Sequence, residues 1–182
     1  MRAFLAVDLD KELHGKVCEV QDSLKESNAT VKFVEEENLH FTCKFFGDIS
    51  ENREKRISAS INDTLTDYIP FEINIKGVGV FPHPGYVRVI WLGLENSHYF
   101  SQIIKNLDDK FSNLGFKKEK SYIPHLTIGR VKSAKNKDAL VARIKELEDI
   151  EIGSMKVDKL VLKKSDLTPK GPVYSTIEEF KL

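Results

Sequence analysis

Pro124-His125-Leu126-Thr127-Ile128-Gly129-Arg130 and Leu39-His40-Phe41-Thr42-Cys43-Lys44-Phe45 are the stretches around which the chain is organised. Both read His-x-Thr followed by a small or apolar residue. The two histidines lie 85 residues apart in a chain of 182, so two of only five histidines fall at matching places in its halves. On a strand, residues i and i+2 share a face about 6.5–7 Å apart, so each motif sets an imidazole beside a hydroxyl. The alternation puts Leu39, Phe41, Cys43 and Phe45 on one face of the first strand and His40, Thr42 and Lys44 on the other. Strand parity would send Arg130 away from His125 unless Gly129 marks a bulge that turns the chain back.

Working outward, Arg2–Val7 reads as a buried strand, and Asp10 can cap a helix whose Leu13, Val17, Val20 and Leu24 make one apolar face. Thr30–Val34 reads as a short strand and Leu39–Phe46 as the first motif strand. A helix carries Ile57, Ile61 and Leu65, and Phe71–Phe81 is a strand in which Gly77 and Gly79 mark a bulge or a close backbone approach. After the turn Phe81-Pro82-His83-Pro84-Gly85 the order repeats. Val87–Leu94 is a strand, Phe100–Leu114 a helix stopped by Gly115, and Tyr122–Val131 the second motif strand. Asp138–Asp149 is a helix, Lys156–Lys163 a strand, and Val173–Phe180 a last strand after the turn at Thr168–Gly171. The offset between equivalent elements is 85–87 residues throughout. The fold class expected is α+β: one bilobal domain over 1–182, built from duplicated strand-helix units with largely antiparallel sheets. The units meet near 81–86, and the two His-x-Thr strands face a central cleft.

Composition sets the class of protein. Apolar residues make up 41% and charged residues 31%, ordinary for a globular domain and too apolar for a disordered one. No apolar run approaches the ~18–20 residues that span a bilayer. Two cysteines, Cys18 and Cys43, make no disulfide framework, and the N-terminal apolar run ends at Asp8, too short for a signal-peptide core; a cytoplasmic protein with no membrane partner is expected, taken as a monomer. Net charge is zero, which excludes a global nucleic-acid footprint, but the halves differ. Residues 1–95 carry 11 Lys and Arg against 16 Asp and Glu; residues 96–182 carry 17 against 12. By charge counts alone the excess cations of the second half read as solvated helix faces; the alternative is that, beside a cleft, they attract phosphate.

Two imidazoles and two hydroxyls around one site suit in-line displacement at phosphorus. One histidine takes a proton from the attacking oxygen and the other protonates the leaving oxygen. A pKa near 6.5 lets either ring act as acid or base near neutrality. Threonine hydroxyls and the fixed fork of Arg130 are suited to non-bridging oxygens. No HExxH, CxxC, P-loop or GxSxG pattern points to zinc, nucleotide-triphosphate or serine-hydrolase chemistry, and no metal or cofactor is expected.

The paired motifs resemble those of the 2H phosphoesterases. Met1–Asp8, Leu39–Asp48, Val87–Gly93, Pro124–Arg130 and Leu167–Tyr174 are similar to its RNA 2′,3′-cyclic phosphodiesterase branch, also called 2′-5′ RNA ligase. That resemblance implies metal-independent hydrolysis of an RNA or nucleotide 2′,3′-cyclic phosphate to a 2′-phosphate. It implies His40 as proton donor to the 3′-oxygen and His125 as proton acceptor from water. Thr42, Thr127 and Arg130 would hold the phosphate oxygens. Cys43 departs from the leucine more usual there, which alters packing and not chemistry. Two other readings stand beside it: 2′-5′ RNA ligation by the same two histidines, and non-catalytic RNA or nucleotide binding through the basic half. Phe45, Phe46 and Tyr122 are the aromatic residues proposed to stack a terminal base.

Overall fold

A computed structural model describes residues 1–182 as nine strands and four α-helices. In chain order these are β1 (Arg2–Asp8), α1 (Lys11–Lys25), β2 (Val31–Phe33), β3 (His40–Asp48), α2 (Glu51–Leu65), β4 (Phe71–His83) and β5 (Tyr86–Glu95). There follow α3 (His98–Asn113), β6 (Leu126–Val131), α4 (Lys137–Glu146), β7 (Glu151–Val157), β8 (Lys159–Thr168) and β9 (Gly171–Lys181). All nine strands form one sheet in the order β7-β4-β5-β6-β3-β1-β8-β9, with β2 added against β6. Every pairing is antiparallel, as the alternating strand patterns anticipate.

The duplication is visible in the sheet. β3 and β6 are its two central neighbours, β1 flanks β3, and β5 flanks β6. The halves also exchange strands. β4, from the first half of the sequence, is a hairpin partner of β5, and β8, from the second half, pairs with β1. The turn near 81–86, expected to divide two units, therefore joins neighbouring strands within one half of the sheet. The expected single strand Lys156–Lys163 is two strands, β7 and β8, which reverse at Asp158 and lie in opposite halves of the sheet, β7 at one edge and β8 between β1 and β9.

One core of 36 buried apolar residues holds the sheet to its helices. The periodic faces named from sequence supply it: Val17, Val20 and Leu24 from α1, Ile57, Ile61 and Leu65 from α2, Phe100, Ile103 and Phe111 from α3, and Leu140 and Ile144 from α4. α1 packs against α4 and α2 against α3, repeating the internal symmetry. Ser50 caps α2 by accepting from the Arg53 amide at 3.2 Å, whereas the Asp10 side chain makes no capping bond to α1. Gly77 sits at φ +83 where the β4–β5 register slips, the bulge its position suggests. No helix is long and apolar enough to cross a membrane.

Candidate active site

β3 and β6 meet through a single pair, Phe41 opposite Leu126, both fully buried. Side chains one residue away point to the other face. Continuing the antiparallel register sets Thr127 across from His40, while His125 lies just before β6 begins, toward Thr42. His40, Thr42 and Thr127 thus come together in one cavity away from the core, and His125 enters from the segment just before β6.

The second motif strand is shorter than its sequence suggests. Tyr122–His125 lies outside β6, which begins at Leu126. Pro124 has no N–H to offer a ladder, so His125 approaches the site from an irregular segment.

Both rings are held alike. His40 Nδ1 lies 2.6 Å from the Asn38 carbonyl, and His125 Nδ1 lies 3.3 Å from the Ile123 carbonyl. A carbonyl only accepts, so each Nδ1 carries its proton and each Nε2 is the working nitrogen. His40 Nε2 is 2.9 Å from the Thr42 hydroxyl. Phe4 and Tyr174 flank the His40 ring at 5.0 and 5.5 Å, and Phe81 and Trp91 flank His125 at 5.0 and 6.2 Å. Burial among these rings pushes both imidazoles below their usual pKa, against the carbonyl hydrogen bonds that favour the protonated form. The Arg130 guanidinium pushes both further down.

Each motif strand carries a bulge immediately after its threonine. Leu5 pairs with Lys44 and Ala6 with Thr42, leaving Cys43 as the extra residue in β3. Ile90 pairs with Gly129 and Trp91 with Thr127, leaving Ile128 extra in β6. The expected alternation along β3 is therefore corrected beyond Cys43. Cys43 and Lys44 are both buried, and Phe45 emerges on the histidine face, 50% exposed. Likewise Ile128 and Gly129 are both buried, and Arg130 emerges beside Thr127. Arg130 thus turns toward the His40 cavity through a bulge whose extra residue is Ile128, one position before the Gly129 expected to mark it. Gly129 has an ordinary backbone; glycine is needed because a Cβ there would stand 2.9 Å from Val31 Cγ1 and 3.3 Å from Phe33 Cδ1. Gly129→Ala is expected to push β2 off the bulge and cost about 1–3 kcal/mol, read as a lowered denaturation midpoint.

His40, Thr42, Thr127, Arg130, Phe45 and Tyr174 line a cavity of about 460 Å³. His125 lines a second cavity of about 790 Å³ with Phe81, Trp91 and the Lys117-Lys118-Glu119-Lys120 segment. Sequence reasoning missed the flanking rings Phe4, Phe81, Trp91 and Tyr174, whose contacts are long-range. Of the three aromatic residues proposed for stacking, Phe46 is buried against Phe111 and Phe116, and the Tyr122 hydroxyl donates to Asp108. Only Phe45 is turned outward on the motif face. Burial pushes the Cys43 thiol far up, which leaves no thiolate for nucleophilic chemistry. Nowhere do three His, Cys, Asp or Glu side chains converge as metal ligands.

An antiparallel sheet with His-x-Thr on its two central strands defines the two-histidine phosphoesterase class. The chain belongs to the 2′-5′ RNA ligase superfamily, whose family model matches residues 13–168. It is 54% identical over 182 residues to the RNA 2′,3′-cyclic phosphodiesterase of Methanothermobacter thermautotrophicus, covering 100% of this chain and 99% of that protein. It is 43% identical to the enzyme of the same name from Methanocaldococcus jannaschii, covering 99% and 100%. Among solved structures, TT0787 of Thermus thermophilus superposes with a TM-score of 0.84 at 27% identity, covering 100% of this chain and 98% of that one. E. coli LigT complexed with 3′-AMP shares the fold at a TM-score of 0.79 and 22% identity, covering 100% and 97%.

Proposed function

We propose that the protein hydrolyses terminal 2′,3′-cyclic phosphates of RNA or nucleotides to 2′-phosphates, without a metal, by acid-base catalysis between two histidines. One observation carries this reading: His40 and His125, each with Nδ1 against a backbone carbonyl, lie on either side of the β3–β6 contact with Thr42 and Thr127 beside it. The names of the relatives support the substrate class. His125 Nε2 takes a proton from water as it attacks phosphorus. Thr42, Thr127 and Arg130 hold the non-bridging oxygens as charge builds. His40 Nε2 gives its proton to the departing 3′-oxygen. The reaction leaves His125 charged and His40 neutral, and exchange with solvent resets both. The unpaired Cys18 and Cys43 support a reducing, cytoplasmic setting, and we take the working unit to be a monomer.

The decisive assay is hydrolysis of 2′,3′-cyclic AMP with the product isomer identified. The proposal expects 2′-AMP formed equally with and without EDTA; 3′-AMP, or no product, overturns it. The pH dependence follows from the two lowered pKa values. His125 must be neutral, so the rate falls as pH drops through its pKa; His40 must be protonated, so the rate falls as pH rises through its own. Both lie below the ordinary 6.5. The bell of kcat/KM, which reports the free enzyme, is therefore expected to peak below pH 6.5. A peak above neutrality would assign the limbs to other groups.

A second reading draws on the size of the cavity beside His125. About 790 Å³ is far more than an attacking water needs, and the lysines at its rim suit a polyanion. If an RNA 5′-hydroxyl enters there in place of water, the same two histidines make a 2′-5′ bond. Incubating RNA pieces with cyclic-phosphate and 5′-hydroxyl ends, then looking for a joined product, tests it.

A further inference from the structure

We infer that the buried Lys44–Asp108 pair, together with Tyr122, positions His125 by fixing the segment that carries it. The inference rests on His125 being the proton acceptor, as proposed above. His125 stands in neither a helix nor a strand, since residues 114–125 run between α3 and β6 and belong to no element. From Lys117 to Ile123 no backbone group bonds to another backbone group. Packing does not hold the segment at its critical point either. Ile123, whose carbonyl holds His125 Nδ1 at 3.3 Å, is 72% exposed. That carbonyl needs another restraint, because a displacement of about 1 Å at a reacting group can cost on the order of 100-fold in rate.

Buried side chains supply it. Lys44 follows the first motif on β3, and the bulge at Cys43 turns it inward. Its Nζ donates to the Lys117 carbonyl at 2.6 Å, to Glu119 at 3.0 Å and to Asp108 Oδ1 at 2.7 Å. Asp108, on α3, accepts at Oδ2 from the Glu119 amide at 2.8 Å and from the Tyr122 hydroxyl at 2.9 Å. The segment is thus pinned at Lys117, Glu119 and Tyr122, the last of them one residue before the carbonyl that holds the ring. The Lys44 and Asp108 side chains are only 3% and 2% exposed. A buried ion pair commonly gains nothing in stability over an apolar pair of similar volume. What an apolar pair cannot do is meet a carbonyl, an amide and a hydroxyl of one irregular segment in fixed directions. The His40 side is secured differently: Asn38, whose carbonyl holds that ring, donates its side-chain amide to the Pro172 carbonyl at 3.2 Å. At the position 85 residues beyond Lys44 the second motif strand has Gly129, so the ion pair is not repeated there.

The test compares kcat and KM for 2′,3′-cyclic AMP in the parent protein, Tyr122→Phe and Lys44→Met/Asp108→Leu, together with melting temperature and the nitrogen NMR spectrum of the histidine rings. Tyr122→Phe removes one hydroxyl and keeps the ring. The double variant removes both buried charges at once, which restores stability but leaves residues 117–122 untied. Both are expected to lose about 10- to 100-fold in kcat, with KM within about twofold because Thr42, Thr127 and Arg130 are untouched. The His125 ring, held as the Nδ1–H tautomer in the parent, should show mixed tautomers in both, while the His40 ring stays as it was. A role in stability alone predicts instead that kcat returns with the melting temperature. A parent-like kcat or an unchanged His125 spectrum in Tyr122→Phe overturns the inference, and so does a double variant whose kcat recovers with its stability. The two failures are separable. A parent protein that turns over no cyclic phosphate loses the proposed activity, and the ring spectra then decide by themselves whether the pair places His125. A parent that hydrolyses 2′,3′-cyclic AMP while Tyr122→Phe matches it keeps the activity and loses the inference.

Discussion

His125→Asn is expected to lower kcat for 2′,3′-cyclic AMP by roughly 10²–10⁴-fold, the usual worth of one positioned proton-transfer group, with little change in KM. Asparagine is the informative replacement because its amide can still donate to the Ile123 carbonyl that holds the His125 ring. What it lacks is a nitrogen that takes up a proton near neutral pH. The phosphate contacts through Thr42, Thr127 and Arg130 are untouched, so ground-state binding should persist and the loss should sit in the chemical step. His40→Asn is expected to lose a similar factor, this time through the leaving oxygen. In the double variant the losses should fall short of their product, because the two rings serve one displacement. The acid limb of the pH profile should vanish in His125→Asn and the alkaline limb in His40→Asn. Full activity in either single variant would rule out the two-histidine mechanism.

Lys44→Met is expected to be the most damaging substitution for stability, by about 3–5 kcal/mol, the usual cost of stranding one member of a buried ion pair. Lys44 Nζ donates to Asp108 Oδ1 at 2.7 Å and to the Lys117 carbonyl at 2.6 Å, and it reaches Glu119 at 3.0 Å. Asp108 Oδ2 accepts from the Glu119 amide at 2.8 Å and the Tyr122 hydroxyl at 2.9 Å. The Lys44 and Asp108 side chains are only 3% and 2% exposed. Without Lys44, the Asp108 carboxylate stays buried with its charge unbalanced. Lys44→Met/Asp108→Leu should recover much of the loss, since an apolar pair of similar volume carries no stranded charge. Chemical denaturation of the parent, single and double variants checks both statements. Burial alone would push the Asp108 carboxyl up, but its hydrogen bonds outweigh that and hold it below the usual range. The stability it contributes is therefore present above the unfolded-state pKa of about 3.9 and is lost as pH falls through the lower folded value.

This network also shows where the sequence is readable. Strand parity correctly puts His40 and Thr42 on one face, because a period of two needs no knowledge of the partner strand. It fails at Lys44 and Phe45, because a bulge belongs to a pairing and cannot be seen in one strand alone. Parity therefore reads Lys44 as surface charge and Phe45 as core. A signal does exist on the other side of the contact: Asp108 sits among Ile104, Leu107 and Phe111 on the apolar face of α3, where an unpartnered carboxylate would be costly. The Tyr122–Pro124 segment reads as strand because its apolar residues fit the pattern, although Pro124 removes a ladder donor. β7 and β8 merge in the sequence pattern because one residue, Asp158, is the whole of the reversal. The exchange of β4 and β8 between sheet halves is beyond reach, since repeat spacing says which strands are equivalent and not which are neighbours.

That exchange bears on the order in which the molecule can be made. β1 lies between β3 and β8 in the sheet, yet six other strands emerge from the ribosome between β1 and β8. Ala3 through Val7 are all buried in the finished fold, so a nascent chain that has paired β1 with β3 still shows a bare apolar edge. The His40 side of the sheet must wait for translation to pass residue 159, whereas β4, β5 and β6 can assemble the His125 side much earlier. Synthesis thus builds the His125 side before the His40 side, and premature termination anywhere between them leaves a sticky, one-handed intermediate.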